Sequence, residues 1–244
     1  MMLRYVLAIL LLCLPVQFAR AQPIVADLSE HLIAVTTGFS GTELLLFGAI
    51  EDGGDVIVVI RGPSEDLTVR KKERVAGVWI NSDALEFDDV PAFYSVATSA
   101  DIANIAPEGV RTRNQIGVNS LVLTPKLGIG DTYLGYRTAI IRNKVAAGLY
   151  SGEPGKISFI GKRLFRTDVV FPSNVPTGAY TITVYLIKDG MIQSAQSTPL
   201  EVSKVGLGAQ IYRFAHEYSA IYGILAIIVA LVAGWTAGAI FKRS

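Results

Sequence analysis

Hydrophobic and polar positions divide the chain into a variable central part and two uniform apolar runs. The runs at 6–14 and 218–241 contain no charged residue. Between them, short apolar stretches alternate with turn-forming residues, and 180–187 alternates between larger apolar and more polar side chains. A period of two is typical of a half-buried strand. The pattern therefore predicts a β-rich body between two hydrophobic segments.

Residues 22–105 form the first β block. Runs such as 43–50 and 55–61 have the length of single strands, and glycine-rich segments separate them. Asp52-Gly53-Gly54 lies between these two runs and predicts a hairpin, because glycine adopts positive φ without a steric clash. Roughly six to eight strands at this spacing, without a long helix between them, favour an antiparallel sandwich.

Residues 156–204 form the second β block. Asp189-Gly190 predicts a tight hairpin before the last strand. The approach at 176–180 is similar to the corner before the penultimate strand of immunoglobulin-like sandwiches, where a tyrosine bonds back to the preceding backbone. Tyr180 is the tyrosine expected to form that bond. The block therefore predicts the C-terminal strands of a sandwich of that type.

The connecting segment, 106–155, has a helical pattern in its second half. Asp131 or Thr132 is positioned to cap an amphipathic helix at about 131–149. Earlier in the chain, Ser99 is predicted to cap a short helical turn through Ile105. The expected apolar face of the long helix consists of Leu134, Thr138, Ile141, Val145 and Leu149.

These patterns together predict a mainly β fold. We expect two immunoglobulin-like antiparallel β-sandwich lobes, at 22–105 and 156–204, with the amphipathic helix between them and a C-terminal transmembrane helix. A single larger sandwich is the alternative arrangement.

The two apolar runs predict different fates for the two ends. Residues 1–21 have the form of a signal peptide, with an h-region too short to span a bilayer and a small-x-small cleavage pattern at 19–21; an uncleaved anchor is the alternative. The run at 218–241 suits a bilayer, which a helix crosses in about 20 residues. Lys242-Arg243 then favours a cytoplasmic tail at 242–244. The expected location is the bacterial inner membrane, with a periplasmic body and a juxtamembrane linker at 205–217.

The apolar C-terminal run carries a pattern of small residues. Glycine or alanine recurs every four residues, which places them on one helix face and includes a GxxxG step. Tyr218 and Trp235 lie near the two expected membrane interfaces. We predict that the small face packs against another helix, in a second copy or in a polytopic partner. Its residues are Ala226, Ala230, Gly234 and Gly238.

Composition narrows the chemistry. The only cysteine is Cys13, inside the predicted signal peptide, so no disulfide or cysteine-ligated metal site is expected in the mature chain. The chain has 22 basic and 21 acidic residues. Four of the basic residues lie in the signal peptide or the tail, which leaves the body slightly acidic. Nucleic acid is therefore not an expected partner.

The search for catalytic or cofactor motifs finds none. His31 and His216 are the only histidines, and no second histidine stands at ligand spacing from either. The chain has no Gly-x-Ser-x-Gly, Ser-x-x-Lys, phosphate-loop or dinucleotide-binding motif. We expect no enzyme activity, no cofactor and no metal. A carboxylate-based enzyme stays as the least favoured alternative.

Acidic and aromatic residues are concentrated at 79–94. Carboxylates this close together can bind a hard cation, but they lack the order of a calcium loop, and a solvated loop explains them equally. The aromatic residues suit either core packing or a recognition surface. The candidates for surface recognition are Trp79, Asp83, Glu86, Phe87 and Tyr94.

The chain resembles a family of single-pass transmembrane proteins of alphaproteobacteria whose function is uncharacterised. The resemblance covers nearly the full length and implies an inner-membrane protein facing the periplasm. It brings no catalytic residues, and it implies a gene neighbourhood shared with sulfite-exporter type transporters. The segments that carry it are TTGF at 36–39, LLFG at 45–48, GVWIN at 77–81, PAFY at 91–94, VPTGAY at 175–180 and YLIKDG at 185–190, with Tyr222-Gly223 and Gly234-Trp235 near the end.

The leading functional hypothesis is a non-enzymatic interaction or accessory module. Its expected surroundings are the lipid bilayer and a protein partner, and an inner-membrane transporter such as a sulfite exporter is one such partner. The alternative is a periplasmic domain that binds a small solute or a metal through the segment at 79–94.

Overall fold

The fold is described from a computed structural model that covers residues 23–51, 53–75, 77–127, 130 and 133–241. The predicted signal peptide and the tail at 242–244 lie outside the described residues. The strands are β1 Ile24–Leu28, β2 Leu32–Val35, β3 Gly41–Ile50, β4 Asp55–Arg61, β5 Ser64–Val75, β6 Val78–Pro91, β7 Tyr94–Thr98, β8 Thr124–Pro125, β9 Gly155–Lys156, β10 Ser158–Ile160, β11 Leu164–Pro172, β12 Gly178–Lys188 and β13 Met191–Lys204. The helices are α1 Ile102–Ile105, α2 Glu108–Asn114, a 3₁₀ turn Val118–Ser120, α3 Tyr133–Ala146, α4 Leu207–Glu217 and α5 Ser219–Phe241.

The mainly β fold class is confirmed, and two sheets form its centre. One sheet has the order β1-β3-β11-β10 and the other the order β2-β13-β12-β4-β7-β9. Most neighbours are antiparallel, whereas β2 pairs parallel with β13 and β9 parallel with β7. Each sheet thus combines strands from the beginning and the end of the chain.

This pairing corrects the expected division into two lobes. The whole of β11 pairs with β3, from Leu164 opposite Ala49 to Pro172 opposite Gly41. Likewise β12 pairs with β4 over Thr181–Ile187. The two β blocks therefore close one sandwich, which is the alternative that the sequence left open. The reason is that each block alone would leave these strands without their hydrogen-bonding neighbours.

A first core fills the space between the two sheets. Alternate residues of the strands point inward, as in β11, where every second side chain is buried. Three aromatic rings, Phe93, Phe171 and Tyr180, lie within 5.3–5.9 Å of one another at its end. The Tyr180 hydroxyl donates a hydrogen bond of 2.6 Å to the Pro176 carbonyl, which is the bond expected from the sequence.

Strand β4 is buried on both faces and separates two cores. Val56, Val58 and Ile60 belong to the core between the sheets. Ile57 and Val59 belong to a second core on the opposite face. An uninterrupted apolar run is what a strand needs when neither of its faces meets water. The six-stranded sheet is therefore the middle layer of the body.

The second core is covered by helices α1 and α3 and by a three-stranded sheet with the order β5-β6-β8. Helix α3 lies within the expected 131–149, although both candidate capping residues fall outside the described residues. Tyr136 and Ile140 are its buried residues, whereas the predicted face residue Leu134 is 69% exposed. Three other residues of the predicted face, Ile141, Val145 and Leu149, are half-buried against the second core, so that part of the face is confirmed. The Tyr136 hydroxyl donates a hydrogen bond of 3.0 Å to the Asp83 carbonyl.

Two turns test the local turn predictions. Asp189 and Gly190 have φ values of 51° and 72°, and they join β12 to β13 as the expected hairpin. Strands β3 and β4 do not pair as the expected hairpin, because they enter different sheets. Asp52, in the predicted turn, lies outside the described residues. The apolar runs before and after that turn have the same pattern. Their sequence therefore does not distinguish a hairpin from a connection between two sheets.

The short helix α1 begins two residues later than predicted. The Asp101 side chain, rather than Ser99, caps it and accepts a bond of 2.8 Å from the Ala103 amide. The Ser99 hydroxyl instead donates to the Asp55 carboxylate at 2.8 Å and accepts from the Val56 amide at 3.0 Å. Ser99 thus secures the start of β4.

The C-terminal helix α5 is long and apolar enough to cross a membrane, over Ser219–Gly238. This agrees with the predicted span at 218–241. The segment expected to be a juxtamembrane linker contains a second helix, α4. Glu217 ends α4, and Ser219 begins α5.

Replacement of Gly48 by alanine should destabilise the sandwich. An added Cβ would lie 2.4 Å from Phe165 Cζ and 2.5 Å from the Val25 carbonyl oxygen. Overpacking of this type costs roughly 1–3 kcal/mol. Chemical denaturation of the full chain in detergent measures the loss of unfolding free energy.

The matched control is Gly135→Ala on helix α3, where nothing lies within 4 Å of an added Cβ. Alanine in a helix interior is favoured over glycine by about 0.5–1 kcal/mol. The control should be neutral or stabilising. Equal behaviour of the two variants would contradict the close packing of β3 against Phe165.

Candidate functional site

The outer face of the four-stranded sheet is strongly apolar. A group of five large side chains on it is 36–55% exposed. Three of them lie in one cross-strand row, because Ala49 of β3 pairs with Val25 and Leu164, and Leu164 pairs with Ile160. We call this surface the apolar sheet face. Its residues are Val25, Leu45, Phe47, Ile160 and Leu164.

A shallow depression of about 430 Å³ lies on the apolar sheet face. The small Ala49 side chain and the backbone of Gly48 form part of its lining, between larger neighbours. Charged residues of both signs border it: Asp27 and Arg166 stand opposite Phe47 on the two flanking strands. A contiguous apolar surface with a polar border is typical of a protein-contact site.

One edge strand of this sheet, β1, is covered at Ala26 by a side chain of the other sheet. The Gln196 amide nitrogen on β13 donates to the Ala26 carbonyl at 2.9 Å, and its oxygen accepts from the Ala26 amide at 2.9 Å. An open strand edge would invite another strand to pair with it. Since Gln196 occupies both backbone groups of Ala26, another strand cannot pair with β1 at this residue.

The hairpin β5–β6 carries the predicted recognition residue Trp79. Strand β8 supports the hairpin only at Phe87 and Asp88, so the distal part is a two-stranded ribbon. Trp79 is 66% exposed near its tip, beside the exposed Val78 and Ile80. Trp79 is therefore accessible to a partner, and its role in recognition stays a prediction.

The predicted acidic candidates lie on the same hairpin. Asp83 and Glu86 are exposed. Lys126 lies 3.4 Å from the Glu86 carboxylate and 3.9 Å from that of Asp88, and these charges raise the pKa of Lys126. In the part of the chain that the structure describes, no group of three or more metal-ligating side chains comes together. Glu86 and Asp88 are thus paired with a lysine, and Asp83 is exposed to solvent.

Phe87 and Tyr94 are not surface residues, which corrects their prediction as recognition candidates. Both are fully buried in the second core. The Tyr94 hydroxyl donates to the Gln115 carbonyl at 2.7 Å and accepts from the Gly117 amide at 2.8 Å. Burial raises the pKa of Tyr94. Both residues lie on the side of their strand that faces the core. The density of aromatic residues in the sequence does not show on which side of a strand each one lies.

A cleft of about 120 Å³ lies beside Tyr94 and was not anticipated from the sequence. The Arg111 Nε atom in its wall is buried and has no hydrogen-bond partner among the described residues. An unpaired buried N–H is costly, so the cleft has an unused site for an acceptor. No sequence motif surrounds Arg111. Its lining includes Arg111, Gly117, Asn119, Ser120, Ser151 and Gly152.

The small residues of the span lie at the predicted spacing on helix α5. Ala226, Ala230, Gly234 and Gly238 follow one another at intervals of four, so they share one face. An added Cβ at Gly234 or Gly238 would meet nothing within 4 Å. Helix packing through this face stays a prediction.

Comparison with known proteins identifies the family. Residues 23–243 match the family described as "Putative transmembrane protein (Alph_Pro_TM)". The match includes the whole sandwich and the candidate span, and the chain belongs to this family. No curated protein matches the chain. The family description names a membrane protein and assigns no activity.

Proposed function

We propose that this member of the Alph_Pro_TM family is a membrane-anchored interaction module that acts through protein contacts and not through catalysis. The observation that carries the proposal is the apolar sheet face. It is an exposed surface on a sheet whose opposite side is fully packed, so its shape is fixed before a partner arrives.

The size of the apolar sheet face suggests where the partner is. Burying one large apolar side chain completely contributes about 1.5–3 kcal/mol. The five side chains here are already about half buried, so covering the rest of them would contribute roughly 5 kcal/mol in total. Association from solution costs about 4–15 kcal/mol in lost freedom. Two proteins anchored in one membrane avoid part of that cost, because anchoring raises their effective concentration. We therefore infer a partner in the same membrane.

A periplasmic location supports the same interpretation. The proposed orientation rests on Lys242-Arg243 after the span and on the signal-peptide pattern at 1–21. A body outside the cytoplasm can contact the outward face of a polytopic protein. The family resemblance points to a transporter such as a sulfite exporter as that protein, and a second copy of the chain is the other candidate.

We further infer that the sandwich is immunoglobulin-like. The order β1-β3-β11-β10 corresponds to the A-B-E-D sheet of that fold, and β13-β12-β4 corresponds to G-F-C. The Tyr180 bond at the start of β12 matches the tyrosine corner of the F strand. This fold serves many unrelated roles, so it supports a scaffold for contacts without naming the partner.

The remaining polar groups give little support to a carboxylate-based enzyme. Lys126 accompanies Glu86 in solvent. His31 lies 3.0 Å from Asp27, with both side chains more than half exposed. A general acid with a useful pKa normally needs burial or a like-charged neighbour.

A photo-crosslinking experiment tests the contact surface. Benzoylphenylalanine at Phe47 in living cells should form one discrete adduct, because this ring lies at the centre of the apolar sheet face. Mass spectrometry should identify the captured protein as an integral membrane protein or as a second copy of this chain.

The matched control places the same probe at Leu134, an exposed apolar residue on helix α3. A second variant combines the probe at Leu164 with Phe47→Asp, which should abolish the adduct. An adduct that also forms from position 134, or no discrete adduct from position 47, would contradict the proposed surface.

A reporter experiment tests the orientation. Green fluorescent protein fused after Ser244 should fluoresce, and alkaline phosphatase fused there should be inactive, because its disulfides form only in the periplasm. Phosphatase fused after residue 205 should be active. Active phosphatase after Ser244 would invert the topology and overturn the periplasmic assignment.

A second candidate function is favoured by the Arg111 cleft. The unpartnered Nε and the neighbouring Ser120 and Ser151 suit a small anion with acceptor oxygens. We propose that a small oxyanion binds there, which replaces the segment at 79–94 as the solute site of this alternative.

Thermal unfolding tests the cleft. Sulfate or phosphate should raise the midpoint relative to chloride at equal ionic strength, since a ligand that binds only the folded state stabilises it. Arg111→Gln should remove the shift. Arg113→Gln, an exposed arginine of the same helix, should keep it. An equal shift of the unfolding midpoint in both variants would mean that the anion acts by nonspecific charge screening, and it would reject the site.

A further inference from the structure

Helix α4 stands directly before the membrane span and has one apolar face. Ile211, Phe214 and Tyr218 follow one another at intervals of three and four residues, which places them on the same side. All three are exposed, Ile211 and Tyr218 by more than half. His216 and Glu217 lie on other sides of the helix. The helix thus presents a strongly amphipathic surface that the body leaves uncovered.

A helix of this length needs a partner for its apolar side. Isolated helices shorter than about 12–15 residues are marginal in water, so α4 requires packing to be stable. The nearest apolar environment is the lipid bilayer, because α4 is joined directly to the candidate membrane span. Leu207–Glu217 extends about 16 Å at 1.5 Å per residue, and the candidate span begins two residues after its end.

The junction between the two helices is an aromatic cluster. Tyr218 has φ −125° and ψ 48°, which interrupts the helical path between α4 and α5. The Phe214 ring lies 5.8 Å from the Tyr218 ring and 6.4 Å from the Tyr222 ring. Phe214 therefore packs across the interruption onto the first turn of the span. Tyrosine is enriched at the height of lipid headgroups, where one end of its ring is apolar and the other is wet.

We propose that α4 is an interfacial helix. It lies in the plane of the membrane surface, with Ile211 and Phe214 in the boundary between headgroups and acyl chains and with His216 and Glu217 toward water. The occupant of its apolar face is lipid, because the same aromatic cluster continues from α4 into the span. This inference is independent of the apolar sheet face and holds whichever protein the body contacts.

Binding of α4 should depend on apolar burial and not on lipid charge. The only charged residues of 207–217 are Arg213 and Glu217, of opposite sign. Polybasic segments gain attraction from anionic lipids, whereas a nearly neutral helix does not. Zwitterionic bilayers are therefore sufficient for the test.

Spin-label accessibility in reconstituted bilayers tests the proposal. Full-length chain with Cys13 replaced by serine is labelled at single cysteines introduced at positions 211, 214, 216 or 217, and it is placed in phosphatidylcholine membranes. Labels at Ile211→Cys and Phe214→Cys should relax with dissolved oxygen, which concentrates in lipid. Labels at His216→Cys and Glu217→Cys should respond several-fold more to an aqueous nickel chelate.

Two further positions calibrate the measurement. Ile227→Cys on the exposed surface of the span supplies the lipid reference, and Val78→Cys at the hairpin tip supplies the water reference. Nickel accessibility of positions 211 and 214 equal to that of Val78→Cys would overturn the proposal. So would protection from both reagents, which would mean that protein covers this face. Ile211→Cys decides the test by itself if loss of the Phe214 ring alters the junction.

Discussion

The body depends on the burial of strand β4 on both of its faces. Its odd-numbered and even-numbered side chains serve different cores, so the strand fixes the distance between the four-stranded sheet and the helical layer. A protein interior packs as densely as an organic crystal, and neither core can be adjusted without moving this strand. Ser99 holds the start of β4 through the Asp55 carboxylate and the Val56 amide. The four-stranded sheet, which carries the apolar sheet face, packs against this middle layer.

Much of the fold could be predicted because it is set by local rules. The Asp189-Gly190 hairpin follows from the positive φ that such a turn requires, and the Tyr180 bond follows from a local corner. The span follows from length and hydropathy. Strand partners are different. Pairing of β3 with β11 joins residues more than a hundred positions apart, and no periodicity within either strand specifies that choice.

The candidate site residues also differ in whether local sequence or tertiary packing determines their position. Trp79 is exposed as predicted, whereas Phe87 and Tyr94 are inside, because burial depends on which side of a strand faces the helical layer. The apolar sheet face was missed for a related reason. Leu45 and Phe47 belong to an apolar run that is typical of a strand with two buried faces, although only one face of β3 is covered. Arg111 was missed because its cleft combines nearby residues with Ser151 and Gly152 of a distant segment, and no motif joins the two.

The path of β13 has a mechanical consequence. This strand leads through Lys204 toward α4 and the span, and it is flanked on both sides, by β12 in one direction and by β2 in the other. A pull from the membrane would enter the body through β13. At Glu201 and Val202 that strand is hydrogen-bonded on both sides, so separating it from the sandwich there requires breaking its pairing with β12 and with β2.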